Sequence, residues 1–250
     1  MIVGFDLASI VLCAWLIMCI SKVVTVPGVL WPVLTAVFAA VFCVVIWFAN
    51  WSHRAFKAFS YDGERKLSKD IIEGIAEYVT VPHGGIGLDV GCGSGALTIA
   101  CAKRNPNAVM VGIDRWGKDY ASFSKQLCEK NAEAEGVSNV RFEQGNAVEL
   151  NFTNEYFDTV TSNYVYHNIA GTDRRDLLRE TFRVLKKGGT FAIHDIMMYK
   201  GYHDIDAFVE ELKNAGFEKV DLIDTTDVFM TKKEAKKFML RGSRLLVGKK

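Results

Sequence analysis

Three glycines, Gly91, Gly93 and Gly95, stand in the run LDVGCGSGA between Leu88 and Ala96, directly after an apolar stretch. At a strand-to-helix turn such residues let the backbone approach a ligand closely and aim helix N-terminal amides at its polar groups, which is nucleotide-site chemistry. Glycines at this spacing also occur in ordinary tight turns, so the neighbouring acids carry the chemical content. Asp89, just before the first glycine, would repel a dinucleotide pyrophosphate and attract an amino-acid ammonium. Asp114 follows Gly95 by 19 residues at the end of AVMVGID, where a carboxylate can accept hydrogen bonds from ribose hydroxyls.

A second group of reactive side chains comes later. Asn163, Tyr164, Tyr166 and His167 follow the strand-like FDTVTS, and His194 and Asp195 end GTFAIHDI. A hydroxyl or phenol acceptor is helped by a base within hydrogen-bond reach. Tyr164 and Tyr166 read first as packing residues and His194 as a buried strand residue. His167 suits either a structural hydrogen bond or a substrate contact, and Asp195 stands where open sheets place their ligands.

These residues need a scaffold, and the pattern supplies an alternation of strands and helices. Leu67, Ile71, Ile72, Ile75 and Val79 have helical spacing. Strands are expected at GIGLDV, 108–114, 140–144, 157–163, 189–196, 219–224 and in the terminal RLLVGKK. Between them helices are expected through Lys103, through about Glu135 with Gly136 as its stop, from a Thr172 cap to Leu185, over 206–215, and after the Thr231/Glu234 capping box. The fold class is α/β: a Rossmann-like, doubly wound sheet of seven strands, mostly parallel with the last antiparallel.

With these motifs in order, the chain resembles the class I S-adenosylmethionine-dependent methyltransferases over residues 66–250, nearest to the methyltransferase-11 and quinone-biosynthesis type. LDVGCGSG looks like that family's first motif, VGID like its ribose-binding strand end, QGNA like its adenine turn, and FDTVTSNYVYHNI and RVLKKGGTFAIHD like its fourth- and fifth-strand motifs. The resemblance implies S-adenosylmethionine as cofactor, with Gly91, Gly93 and Gly95 under it and Asp89 on its amine, in part through water. It places Asp114 on the ribose, Arg115 and Trp116 beside the adenosine, Asn146 and Ala147 at the adenine, and Asn163 near the transferring methyl. The family often has Asp where this chain has Asn146. Asn163, His167 and Asp195 are the residues expected to act on the acceptor. A nicotinamide-dependent oxidoreductase would accept Gly91, Gly93 and Ala96 but explains neither Asp89 nor the terminal strand pair. A membrane-anchored cofactor sensor without catalysis is the non-enzymatic alternative.

The first 49 residues differ in kind, because Asp6 and Lys22 are their only charges. Val29–Ala49 is an uncharged run of 21 residues, about 31 Å as a helix, long enough to span a bilayer. Leu7–Ser21, extended to Val26, forms a weaker first span, so residues 1–52 read as an anchor of one or two transmembrane helices, a helical hairpin or a single span after a re-entrant or interfacial segment, with 53–66 as a juxtamembrane linker and 67–250 as the methyltransferase domain. His53, Arg54, Lys57, Arg65, Lys66 and Lys69 place the domain on the cytoplasmic side of a multi-pass protein, in the cell membrane. An anchor directs attention to a small or lipid-like methyl acceptor. Net charge is +1, which offers no general field for nucleic acid. The six cysteines show no metal-ligand spacing. Lys232, Lys233, Lys236 and Lys237 read as a solvated helix face, with attraction to anionic headgroups as the second reading.

Overall fold

The computed structural model describes residues 30–117, 122–198 and 200–250, together with Trp15 and Gly28. The chain divides into two compact units between Lys66 and Leu67. In the first, helix α1 (Leu30–Phe59) holds the stretch Pro32–Phe59, which among the described residues is long and apolar enough to cross a membrane. The helix continues through His53–Phe59, past the point where a linker is expected. The other expected span lies outside the described residues except for Trp15, which is helical and stacks on Phe38 with ring centroids 4.4 Å apart.

The second unit begins with α2 (Leu67–Ala76), whose Leu67, Ile71, Ile72, Ile75 and Ala76 are buried, as the spacing predicts. There follow β1 (Ile86–Val90), α3 (Ala96–Arg104), β2 (Val109–Asp114), α4 (Lys125–Ala134), β3 (Val140–Gln144) and β4 (Phe157–Asn163). The chain closes with α5 (Arg174–Arg183), β5 (Leu185–Ile196), α6 (Ile205–Asn214), β6 (Glu218–Asp224), α7 (Lys232–Lys237) and β7 (Ser243–Lys249). The strands form one sheet in the order β3-β2-β1-β4-β5-β7-β6. Pairing is parallel from β3 through β5, and β7 runs antiparallel to both β5 and β6. Strand order reverses between β1 and β4, so the crevice at their carboxyl ends is where such sheets bind ligands.

The details follow from local chemistry. Ser124 caps α4 by accepting from Leu127 N, which makes that helix shorter than its periodic pattern suggests. Asp173, rather than Thr172, caps α5 through Arg175 N, because its carboxylate is the stronger acceptor at a helix start. That helix ends at Arg183. Leu185, expected as the end of that helix, instead opens β5 together with Lys186–Gly188, and the register shifts between Phe157 and Thr159. The Thr231/Glu234 capping box at α7 is present in full.

Candidate functional site

Register brings the carboxyl ends of four strands into one edge: Val90 faces Ile113 on one side and Ser162 on the other, and Asn163 faces His194. Two clusters of polar groups occupy that edge.

The first is the glycine loop. Gly91 N and Cys92 N both donate to Ile113 O, at 2.8 and 2.9 Å, tying the loop to β2. Asp114 then clamps it, with Oδ2 accepting from Gly93 N at 2.9 Å and Oδ1 from Trp116 N at 2.8 Å. The Trp116 indole donates back to Gly93 O at 3.1 Å, Cys128 Sγ donates to the same oxygen at 3.2 Å, and Asn131 Nδ2 donates to Ser94 O at 2.9 Å. All three glycines have positive φ, but their surroundings differ. A Cβ on Gly91 would collide with Val165, and one on Gly95 would lie 3.0 Å from the Phe142 ring. One on Gly93 would meet nothing closer than Phe123 at 3.7 Å. Gly91 and Gly95 are therefore required by packing, whereas Gly93, whose N–H and C=O are both bonded within the loop, has only an ordinary contact with Phe123 at that position.

Asp89 lies elsewhere. Strand alternation sends Leu88 and Val90 into the main apolar core and turns Asp89 toward α3. Its carboxylate is fully buried, accepting from Thr98 Oγ1 at 2.6 Å and Thr161 Oγ1 at 3.0 Å. Burial raises its pKa to about 7, against the pull of the two hydroxyls. Arg115 is exposed beside Trp116. The turn holding Asn146 and Ala147 is drawn to the site by Gly145 N, which donates to Asp114 O at 2.9 Å. Asn146 Oδ1 accepts from Val148 N at 3.1 Å and so shapes its own turn.

The second cluster joins β4 to β5. Asp195 is completely buried. Its Oδ2 accepts from His167 N at 2.9 Å and from Tyr202 OH at 2.7 Å, and its Oδ1 accepts from Ile196 N at 2.8 Å and from His167 Nδ1. A carboxylate can only accept, so Nδ1 carries the proton, and in neutral His167 the lone pair resides on Nε2. Arg174 supports the turn from below, donating to Thr172 O at 2.8 Å and His167 O at 3.3 Å.

Asn163 meets His194. Burial lowers the His194 pKa to about 3, so its ring is neutral at physiological pH. Thr225 Oγ1 donates to Ser243 O at 3.0 Å and must therefore accept from His194 Nε2, 2.9 Å away. His194 Nδ1 is left with a lone pair, 2.8 Å from Asn163 Oδ1. Two acceptors cannot bond. The chemistry rotates the amide so that Nδ2 donates to His194 and the carbonyl oxygen becomes available as an acceptor. Tyr164, at a positive φ of 55°, reaches Ser243 Oγ at 2.8 Å, and burial raises its pKa. Tyr166 is fully buried on Thr181 Oγ1 at 2.7 Å.

Three of the expected acceptor-side residues thus fall at one edge, with His167 and Asp195 in contact and Asn163 tied to His194. Trp116, expected with Arg115 beside the adenosine, is bound to Asp114 and Gly93, whereas Thr98, Thr161, Arg174 and Tyr202 carry no local motif and were not anticipated, since only the fold brings them to their partners. Among the described residues no group of His, Cys, Asp or Glu is arranged to hold a metal.

A family model described as a methyltransferase domain matches residues 84–243. Demethylmenaquinone methyltransferase of Lactobacillus johnsonii is 34% identical over 114 residues, covering 45% of this chain and 44% of that protein. Erythromycin 3''-O-methyltransferase of Saccharopolyspora erythraea is 31% identical over 136 residues, covering 54% of this chain and 42% of that protein. The chain spans less than half the length of both relatives. Among solved structures, the [4+2]-cyclase SpnF superposes with a TM-score of 0.57 at 19% identity, over 76% of this chain and 85% of that one, a likeness of fold alone. Because the family model spans well over half of the residues, the chain belongs to the methyltransferase-domain family.

Proposed function

We propose that the protein is an S-adenosylmethionine-dependent methyltransferase, held at a membrane by its N-terminal segment and acting on a small, lipophilic acceptor. The observation that carries this reading is the juxtaposition of two devices at one sheet edge, the Gly93–Asp114 clamp and the His167–Asp195 pair. The first fits a nucleoside with an amino-acid tail: positive-φ glycines keep the strand-to-helix turn tight, and each Asp114 oxygen, already bonded once, has a second lone pair for a ribose hydroxyl.

When bound, S-adenosylmethionine supplies an electrophilic methyl carbon, so the protein's task is to align the acceptor and keep water out. Gly91, Gly93 and Gly95 shape the cradle, with Asp114 and Arg115 on the adenosine side and the Asn146–Ala147 turn near the base. Asp89 acts from inside, holding β1 to α3 and β4 and reaching the cofactor amine only through intervening groups. Asn163, with its amide nitrogen on His194, would hold its carbonyl oxygen as an acceptor near the methionine moiety of the cofactor. For a hydroxyl acceptor, His167 Nε2 takes the proton, and Asp195 fixes the tautomer and stabilises the resulting imidazolium.

The relatives support methyl transfer, and the name demethylmenaquinone methyltransferase supports a lipophilic acceptor. Residues 1–52 serve as the anchor, 53–66 as the connection and 67–250 as the catalytic domain on the cytoplasmic side; anchoring raises enzyme concentration over bilayer-resident molecules. The test is to incubate membranes containing the protein with methyl-labelled S-adenosylmethionine and separate lipid, protein and aqueous fractions. Label should enter extractable lipid and be nearly absent with His167→Ala. Label confined to water-soluble products would overturn the lipophilic acceptor, and cofactor binding without label in any fraction would favour a sensor.

A further inference from the structure

Between Thr225 and Arg244 the chain carries six basic side chains, Lys232, Lys233, Lys236, Lys237, Arg241 and Arg244, against Asp227 and Glu234. That is a net +4 in a protein whose total is +1, so positive charge is concentrated in one surface segment. Lys232, Lys233, Lys236, Lys237 and Arg241 are all exposed. The one close bridge to Asp227, from Lys232 at 2.8 Å, joins two exposed groups and neutralises little of the patch.

Large apolar side chains project from the same region. Met239 is 68% exposed between buried Phe238 and Leu240, held outward by a left-handed backbone with φ of 60°. Val228 is 55% exposed, and Met198, just past β5, is 71% exposed. Met198 rests against Gly242, where a Cβ would collide with it, and Met197 N donates to Gly242 O at 2.9 Å. The end of β5 and the start of β7 therefore make one rim, and that rim borders the candidate site. Asp195 lies opposite Arg244 in the β5–β7 ladder, and Tyr164 bonds Ser243.

We propose that this rim docks the catalytic domain on an anionic lipid surface, with the lysines and Arg241 at the headgroups and Met198 and Met239 at the acyl boundary. Long flexible cations around single unbranched apolar side chains suit a fluid interface. A fitted protein interface is depleted in lysine, and a nucleic acid offers the methionines no apolar environment. Each basic residue near an anionic leaflet strengthens binding about fivefold, and an anchored domain needs only a weak surface affinity to stay docked. Docking turns the acceptor side of the site toward the bilayer. The consequence for the acceptor rests on the methyltransferase reading; the lipid contact itself does not.

The full chain in nanodiscs of phosphatidylcholine, or of phosphatidylcholine with one-third phosphatidylserine, supplies the test by amide hydrogen exchange. Exchange over 228–242 should be at least about fivefold slower in the anionic discs, and the protection should be lost in the Lys233→Glu, Lys236→Glu, Arg241→Glu triple variant. S-adenosylhomocysteine affinity, measured in the same discs, reports whether that variant is folded. Equal exchange in both discs, or protection by free heparin equal to that by anionic discs, would overturn the proposal. Failure to bind S-adenosylhomocysteine with lipid protection intact would instead strike the methyltransferase reading.

Discussion

The β1–β2 half of the site and the β4–β5 half are built by different means. In the first, the groups held are backbone: Asp114 accepts from Gly93 N and Trp116 N, while Trp116 and Cys128 donate to Gly93 O and Asn131 donates to Ser94 O. In the second, side chains bond one another, in pairs separated by 28 residues for His167–Asp195, 31 for Asn163–His194 and 79 for Tyr164–Ser243. A backbone cradle tolerates varied sequence as long as its glycines remain, and suits a ligand that does not change. A side-chain network can be re-cut by single substitutions, which suits the part that meets a particular acceptor.

The sharpest way to break this contrast is His167→Ala. Loss of the base should lower kcat by roughly 10²–10⁴-fold for a hydroxyl acceptor while leaving S-adenosylhomocysteine affinity unchanged; a parallel loss of cofactor binding, measured by calorimetry, would merge the two halves. Next in size is Asp89→Asn. With a folded pKa of about 7 against an ordinary 3.8, native Asp89 keeps a proton that the unfolded chain releases between about pH 4 and 7. Its contribution to stability therefore falls as pH rises through that window, by up to about 4 kcal/mol, and is level above it. Denaturant melts at several pH values should show the variant gaining on the parent from pH 4 to 7, and parallel curves would remove Asp89 from this account.

Asp114→Ala reverses the His167 result. Removing the acceptor for two amides and the proposed ribose partner should weaken S-adenosylhomocysteine binding by roughly ten- to a hundredfold, with far less effect on the turnover of saturated enzyme. The smallest change is expected for Asn163→Asp, because a carboxylate has no hydrogen to give the His194 lone pair. It should cost about 1–2 kcal/mol of stability at neutral pH, seen as a lower urea midpoint and partly relieved in acid, where the new carboxyl can donate.

Legibility in the sequence divides along the same line. The glycine spacing, the acid ending β2 and the capping box at α7 are local signals, and each lies where it is expected. The α5–β5 junction was misplaced because Lys186, Lys187 and Gly188 suit a helix end as well as an irregular strand start, and only pairing with β4 chooses between them. Asp89 could be singled out as a candidate but not as a buried residue, since a motif does not say which face of a strand a side chain takes. His167 and Asp195 could be named separately, whereas their contact and the support from Tyr202 and Arg174 depend on how β4 and β5 lie side by side.

Sequence alone therefore determined the order of strands and helices, the apolar N-terminal run, and the positions of the glycine turn and of the acid ending β2, because each is marked by a local pattern of residue types. Tertiary structure decided which acids are buried, which histidine is paired with a carboxylate and which is held neutral, and that the basic segment borders the site. Burial, charge pairing and surface position are properties of neighbours in space, and those neighbours exist only once the sheet has been assembled.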